Sequence, residues 1–172
     1  MEVFKIVLPA FIVMMTAYLL FDRMLVNEDK RRKAELLKKH QSVVTPIRLR
    51  AYERLALLLE RTHPSAMMIQ VIQPGMSCIE AQSKLLSYIR AEFDHNLSQQ
   101  IYVGDEVWEA IKAVHDNMIK LVNTTAQHFS PDEPATKLAE VIIRMYNELD
   151  ENPSSVALSL LKSETHQLFM ES

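Results

Sequence analysis

The sequence predicts a mainly α protein with a single N-terminal transmembrane helix, a charged helical stalk and a small bundle of about five helices. Only 2 of the 172 residues are glycine, whereas sheet-rich domains need glycine at their tight turns. Apolar residues recur at helical spacing along most of the chain, and an uncharged apolar run opens it. We therefore expect three parts: an anchor (residues 1–26), a juxtamembrane stalk (27–45) and a helical domain (46–172).

The predicted anchor depends on residues 6–21 (IVLPAFIVMMTAYLLF), which carry no charge. This run of about 16 residues reaches about 20 with its apolar flanks, just enough for one helix across a bilayer. A cleaved secretory signal is the alternative, but it needs a basic start and small residues at the cleavage site. Here the start is nearly charge-balanced and the run ends in bulky and charged residues (YLLFDR). We therefore expect an uncleaved anchor in contact with the lipid bilayer.

Charge asymmetry predicts the orientation of the anchor. Only Lys5 precedes the run. The basic residues that follow it are Arg23, Lys30, Arg31, Arg32, Lys33, Lys38 and Lys39. Because basic residues stay on the cytoplasmic side, we expect the N-terminus outside and the helical domain in the cytoplasm, attached to the inner (cytoplasmic) membrane. The single cysteine, Cys78, fits a reducing compartment.

The overall charge narrows the range of partners. The net charge is −3, and the basic cluster is confined to the segment after the anchor. Nucleic-acid-binding domains usually have a strongly basic face, so we expect no nucleic-acid partner.

The stalk and the first helix of the domain are expected to be separate. Residues 27–44 are highly charged and predict a solvated helix. The pair Thr45-Pro46 predicts a break or a bend, because the residue before proline is pushed out of the α region. Residues 47–62 then form an amphipathic pattern that ends at His63. Its apolar side consists of Tyr52, Leu55, Leu58, Leu59 and Thr62.

Two β-like segments flank the next predicted helix. Residues 66–73 (AMMIQVIQ) and 99–103 (QQIYV) are short and rich in β-branched residues, and they could pair as a two-stranded ribbon. Between them, Ser77 is a candidate N-cap with Glu80 as its capping-box partner, and the helix is expected to run to about His95. The apolar stripe of this helix is Ile79, Leu86, Ile89 and Phe93, with Leu85 beside it.

Three further helices complete the predicted bundle. Residues 105–128 have the strongest pattern and are expected to be the central helix, followed by residues 135–150 and 155–169 after proline-containing loops. Predicted core residues are Val107, Trp108, Ile111, Val114, Met118, Ile119, Leu121 and Val122, then Leu138, Val141, Ile142, Met145, Tyr146 and Leu149, and finally Val156, Leu160, Leu161, Leu168 and Phe169.

A metal site is suggested by the pattern Glu-x-x-His, which occurs as Glu60/His63 and as Glu92/His95. Di-iron bundles use two such pairs plus one Glu from each of two other helices. The remaining carboxylates would be Glu109 and either Glu140 or Glu148. Both pairs fall at predicted helix ends, whereas di-iron ligands project into the bundle centre, and the helix dipole alone favours histidine there. A structural role is therefore favoured, with the metal site as the alternative.

Other chemical candidates are weaker. Cys78 lies in a first helical turn, where the thiol pKa tends to be lowered, but no base accompanies it in a nucleophile pattern. His115 and Asp116 are neighbours about 100° apart around a helix, so we expect that Asp116 does not orient His115. Residues 94–100 (DHNLSQQ) are read as a polar connector in preference to a binding loop. We predict no catalytic, cofactor-binding or metal-ligating residue.

Four stretches carry a family resemblance: MEVFKIVLPAFIV at the start, RLRAYERLALLLER after the stalk, a QPG turn, and RAEFDHNLSQQIYV before a Trp-bearing helix. On these the chain resembles an uncharacterised family of short membrane-anchored proteins from Bacteroidota. The resemblance covers nearly the whole chain. It implies the anchored helical architecture and no particular activity.

Two classes of function follow. The first is a non-enzymatic, membrane-anchored interaction module whose cytosolic helical domain binds an unidentified protein or a second copy of itself. The second is a metal-dependent helical bundle that uses Glu60/His63 and Glu92/His95. We favour the first, because the sequence shows no convergent polar groups of the kind that a site needs.

Overall fold

The computed structural model describes the backbone of residues 2–149 and 152–170, and their side chains apart from those of residues 2–13, 17, 26, 34, 37 and 40. Within this range the helices are α1 (Glu2–Thr62), α2 (Pro64–Val71), α3 (Cys78–Asn96), α4 (Asp105–Ala126), α5 (Ala135–Asn147) and α6 (Pro153–Met170), with a 3₁₀ helix at Leu97–Ile101. The mainly α class is therefore confirmed.

The chain divides into two units, Met1–Val44 and Thr45–Ser172. In the first unit the described side chains of residues 27–44 are all exposed. Two ion pairs with helical i,i+4 spacing link Arg31 to Glu35 and Arg32 to Glu28. Such exposed pairs contribute only about 0.3–0.5 kcal/mol each, so they support the helix weakly.

In the part of the chain that the structure describes, no helix contains a stretch that is long and apolar enough to span a bilayer. The side chains of residues 1–13, which make up the first half of the predicted anchor, lie outside the described residues.

Of the break or bend predicted at Thr45-Pro46, the break is wrong, because α1 ends only at Thr62, whereas a bend stays a prediction. A proline inside a helix removes one backbone hydrogen bond and costs about 3 kcal/mol or more. The residues that follow Pro46 offset this cost by packing, since Tyr52 and Leu55 are 3% and 0% exposed. Helix formation here is decided by tertiary burial, which the local proline signal does not report.

The predicted β ribbon is also wrong. Residues 66–71 belong to α2 and residues 99–101 to the 3₁₀ helix, and the only β-type pairing among the described residues is an isolated bridge between Ser77 and Pro134. In α2, Pro64 occupies the first turn, where its missing N–H has no helical partner. Met67, Met68 and Val71 are buried together, which is helical and not alternating spacing.

The core of the second unit forms around α4, which packs against α3, α5 and α6, as predicted for the central helix. The residues that α4 buries are Val107, Trp108, Ile111, Val114, Met118, Val122 and Thr125. The Ser77 capping box at the start of α3 is confirmed, with the backbone N–H of Ser77 donating to Oε2 of Glu80 over 3.0 Å.

Several predicted core residues are instead exposed: Ile79, Met145, Leu149, Val156 and Phe169. Small residues occupy the neighbouring buried positions, including Ala81 on α3 and Ala157 on α6, each 0% exposed. Small side chains let helices approach closely, so they mark contact faces that hydrophobicity alone does not identify. The face that a helix turns toward the core therefore depends on how closely its neighbour can approach, as well as on which of its residues are apolar.

Candidate functional site

The carboxylate of Glu164 on α6 accepts hydrogen bonds from three groups on other elements. Arg48 donates from Nη2 to Oε1 over 2.9 Å, and the Tyr52 hydroxyl donates to the same oxygen over 2.9 Å. The backbone N–H of Gly104 lies 3.0 Å from both carboxylate oxygens. We call Arg48, Tyr52 and the Gly104 N–H the carboxylate cradle. It brings three donors from two other parts of the second unit onto one carboxylate.

Local structure places each donor. Arg48 and Tyr52 are four residues apart in α1 and so share a face. The Arg48 guanidinium lies 5.7 Å from the centre of the Tyr52 ring, and its Nε donates to the Tyr102 carbonyl over 3.1 Å. Gly104 directly precedes α4, where the first N–H groups have no helical partner.

A side chain at Gly104 would crowd the carboxylate of Glu164. A Cβ atom there would lie 3.1 Å from Oε2 of Glu164, closer than ordinary van der Waals contact. The absence of a side chain therefore lets the carboxylate reach the backbone N–H.

Burial strengthens the cradle. The side chains of Glu164 and Arg48 are 17% and 31% exposed. Burial, together with the hydrogen bond and the negative charge of Glu164, raises the pKa of Tyr52 to about 12. The hydroxyl therefore keeps its proton and serves as a donor. Three donors, one of them a cation, make a site whose chemistry is recognition of a carboxylate.

No local pattern in the sequence predicts this cluster. Arg48 and Glu164 are 116 positions apart, and each looks like an ordinary charged residue on the polar side of a helix. The one available signal was Gly104, since the chain has only 2 glycines.

A second polar region lies where α1 meets the end of α3. A shallow groove of about 410 Å³ there is bordered by Arg54, Arg61 and Glu92, among other residues. Arg54 donates from Nε to Oδ1 of Asn96 over 3.2 Å and from Nη2 to the His95 carbonyl over 3.1 Å. These bonds cap the C-terminal end of α3, which identifies the groove as a helix-end junction.

The residues of the proposed metal pairs go to different partners. Glu60 is exposed, and the His63 ring packs edge-on against Tyr146 with centroids 5.1 Å apart. Glu92 lies 3.6 Å from Arg61, and the side chain of His95 is exposed.

The remaining carboxylate candidates do not complete such a site. Glu109 pairs with Lys112 over 2.6 Å, while Glu140 and Glu148 are exposed. Over residues 2–149 and 152–170, no group of three or more His, Cys, Asp or Glu side chains is placed to hold a metal ion.

His115 and Asp116 do contact each other, so the expectation that Asp116 leaves His115 unoriented is wrong. Nδ1 of His115 lies 2.9 Å from Oδ1 of Asp116. The imidazole is 19% exposed and stacks on Phe93 with centroids 4.3 Å apart. Packing against α3 holds the imidazole along the side of α4, where the exposed Asp116 reaches it.

Cys78 does not have the lowered pKa that its helix position suggests. The residue is buried, and its Sγ lies 3.7 Å from the Pro134 carbonyl. Burial and the nearby charge of Glu133 raise the pKa of the thiol. A protonated, buried thiol is a poor nucleophile, so Cys78 acts as a core residue.

Residues 94–100 form the end of α3 and most of the following 3₁₀ helix, in agreement with the connector interpretation. Asn96 is buried, accepts from Arg54 and donates from Nδ2 to the Glu92 carbonyl over 2.9 Å. Gln99 is also buried. These side chains are used to organise the junction.

A mainly apolar groove of the second unit lies between α4, α5 and the start of α6, with a volume of about 680 Å³. Leu121, Leu149 and Pro153 contribute apolar surface, and Lys120 lies at its margin. Leu149 is 48% exposed, so the groove is open to solvent.

Together these features define a helical-bundle protein in which three polar donors recognise a carboxylate within the chain. The chain belongs to the family of unknown function DUF7935, whose model matches residues 1–168. The predicted resemblance to an uncharacterised family is therefore confirmed, as membership of a family of unknown function. Comparison with curated proteins and with solved structures gives no match.

Proposed function

We propose that this protein is a bacterial, single-pass membrane protein with no enzymatic activity, whose helical domain binds another protein at the cytoplasmic face of the inner membrane. The observation that carries the proposal is the exposed apolar surface of α1 in the first unit. Between residues 14 and 25 its large apolar side chains are 50% to 70% exposed. They are Met14, Met15, Tyr18, Leu19, Leu20, Phe21, Met24 and Leu25.

These side chains surround the helix. Each residue advances about 100° around an α-helix, so Met14, Leu19 and Leu20 project from three different sides. A helix that is apolar all round belongs in apolar surroundings, either a protein core or a membrane. One partner helix would cover a single face, whereas lipid covers every side at once. Lipid is therefore the favoured surrounding.

The orientation is supported by the basic residues after this segment, among them Arg23 and Lys30. Basic residues beside a span stay in the cytoplasm. The second unit, with its protonated Cys78 thiol, would then lie in the reducing compartment.

Protein binding is supported by the form of the exposed surface of the second unit. The groove at Leu121, Leu149 and Pro153 is open and mainly apolar, as expected of a surface that receives an apolar side chain of a partner. The polar groups that converge elsewhere, at Glu164 and at Arg54, bond to each other within the chain. An exposed apolar groove, together with polar groups that already bond to each other, favours protein binding over catalysis.

Reporter fusions after Ser172 test the topology. A reporter active only in the cytoplasm should be active in a bacterial host, and alkaline phosphatase, active only outside, should not. The full chain should remain in membranes after a carbonate wash. Active alkaline phosphatase would contradict the proposed orientation.

A matched pair of variants tests the anchor itself. Met14→Lys with Met15→Lys should release the protein into the soluble fraction, since each Lys at the centre of a span costs about 2.5–3.5 kcal/mol. Ile69→Lys with Ile101→Lys changes two exposed residues of the second unit and should leave the protein in membranes. Retention of both variants would contradict anchoring by this segment.

Protein binding is tested by photo-crosslinking in cells that carry the protein natively. A photoreactive amino acid at position 149 should give a discrete adduct with another protein. The same group at position 69, exposed on α2, is the control. Equal labelling from both positions, or none from position 149, would contradict binding at the groove.

A further inference from the structure

The two halves of α6 are held differently. The buried residues of α6 are Ser154, Ala157 and Leu161, all in its first half. Beyond Leu161, Glu164 and Leu168 are only half-buried, while Met170 is 90% exposed. The second half therefore buries less apolar surface than the first, with Leu168 packed against the core, and the bonds of Glu164 tie it to α1 and to Gly104.

The cradle, in contrast, is held by contacts that do not involve α6. Tyr52 is 3% exposed within the core. Arg48 is positioned by the Tyr102 carbonyl and by the Tyr52 ring. Gly104 is fixed as the residue that begins α4. These donors would remain convergent if Glu164 moved away, and a partly buried cation without a counterion favours binding another anion.

We propose that the cradle is a carboxylate-binding site that α6 closes in cis, so that Glu164 acts as a releasable latch. When Glu164 leaves, residues 162–170 undock while the first half of α6 stays packed. The open site then takes the carboxylate of an acidic side chain on a partner helix, in the place that Glu164 now fills. This inference does not depend on membrane anchoring, because all its residues belong to the second unit.

Hydrogen exchange of the full chain in mild detergent tests the latch. In Glu164→Ala, backbone amides of residues 162–170 should exchange at least tenfold faster than in the parent, whereas residues 154–161 should keep their protection. Glu140→Ala, at an exposed position on α5, is the matched control and should change neither segment. Equal acceleration of both halves of α6, or of neither, would overturn the latch. Glu164→Gln, which keeps the side-chain size, should give the same pattern with a smaller increase.

Chemical rescue tests the carboxylate site. In Glu164→Ala, acetate should raise the thermal midpoint and slow the exchange of residues 162–170, while chloride at equal ionic strength should not. The double variant Arg48→Met with Glu164→Ala should lose this rescue, because the cation of the cradle is gone. Equal effects of acetate and chloride, or rescue that survives without Arg48, would overturn the proposed site.

A peptide of residues 153–172 tests whether the site accepts a helix-borne carboxylate. It should bind the Glu164→Ala protein, and the same peptide with Glu164→Gln should bind at least tenfold more weakly. Rescue by acetate without binding of the peptide would overturn the assignment to a partner helix.

Discussion

The imidazole of His115 stacks on the ring of Phe93, with centroids 4.3 Å apart. Phe93 stacks in turn on Trp108, with centroids 5.5 Å apart and planes 27° from parallel. This row of three rings joins α3 to α4 along one side of the bundle. It also explains why His115 lies within reach of Asp116.

Replacing Phe93 by Leu should destabilise the second unit by about 1–3 kcal/mol, because two aromatic pairs are lost and each contributes about 0.5–1.5 kcal/mol beyond its buried area. Trp108 is the only tryptophan, so its fluorescence reports this contact directly. The emission spectrum of Trp108 should change in the Phe93→Leu variant even under conditions where this variant is fully folded. An unchanged denaturant midpoint and spectrum would show that the stacking contributes little.

Ile111 tests the assignment of α4 as the central helix. It is 1% exposed, so Ile111→Ala should destabilise the protein by about 2–5 kcal/mol. Ile69→Ala is the matched control, because Ile69 is 85% exposed and its loss should change stability by about 0.5 kcal/mol or less. Denaturant midpoints at unchanged slope are the measurement. Similar losses from both variants would contradict the packing described.

Tyr52 predicts a loss of stability in alkali. Its pKa is raised to about 12 in the folded protein from 10.0, mainly by burial. The folded state therefore holds this proton more tightly, and its stabilising contribution is complete below pH 10 and is lost as pH rises through 12. The free energy of unfolding should fall over this window, and less steeply in Tyr52→Phe. If the free energy of unfolding fell equally with pH in the parent and in Tyr52→Phe, Tyr52 would be excluded as the source of the alkaline destabilisation.

At neutral pH the same Tyr52→Phe variant should already be less stable by about 1.5–3 kcal/mol, because it loses a hydrogen bond to a charged group. A neutral-pH loss well below this range would mean that Arg48 and Gly104 satisfy Glu164 without the hydroxyl.

Gly75 predicts a backbone effect. Its φ is +81°, in the left-handed region, and a Cβ there would meet no atom within 4 Å. Gly75→Ala should therefore cost about 1–2 kcal/mol through backbone strain alone. Gly75→Asn should cost less, because Asn tolerates this conformation better. The Gly75→Asn variant should therefore have a higher thermal midpoint than the Gly75→Ala variant. The reverse order would point to a side-chain clash.

Local signals in the sequence predicted the elements that depend on nearby residues. The Ser77 capping box needs only positions 77 and 80, and it was identified. The periodic stripe of α4 was likewise read correctly at Val107, Ile111 and Met118, because an amphipathic pattern repeats within one helix.

Short apolar segments misled the prediction where packing overrode local preference. Residues 66–73 alternate in a way that suggests a strand, yet residues 66–71 belong to α2 because Met67, Met68 and Val71 share a buried surface. The helix also persists through Pro46, since burial beyond it compensates for one missing bond. Both outcomes depend on neighbours that are distant in sequence.

The sequence by itself determined the helical class, the central place of α4 and the capping of α3, because these follow from spacings of three to seven residues. Only the tertiary structure decided which polar groups meet. Arg48 and Glu164 are separated by 116 positions, and neither carries a local pattern that names the other. Their pairing arises because α6 packs beside α4 and α4 begins at Gly104, so that packing of apolar faces brings one carboxylate to three donors.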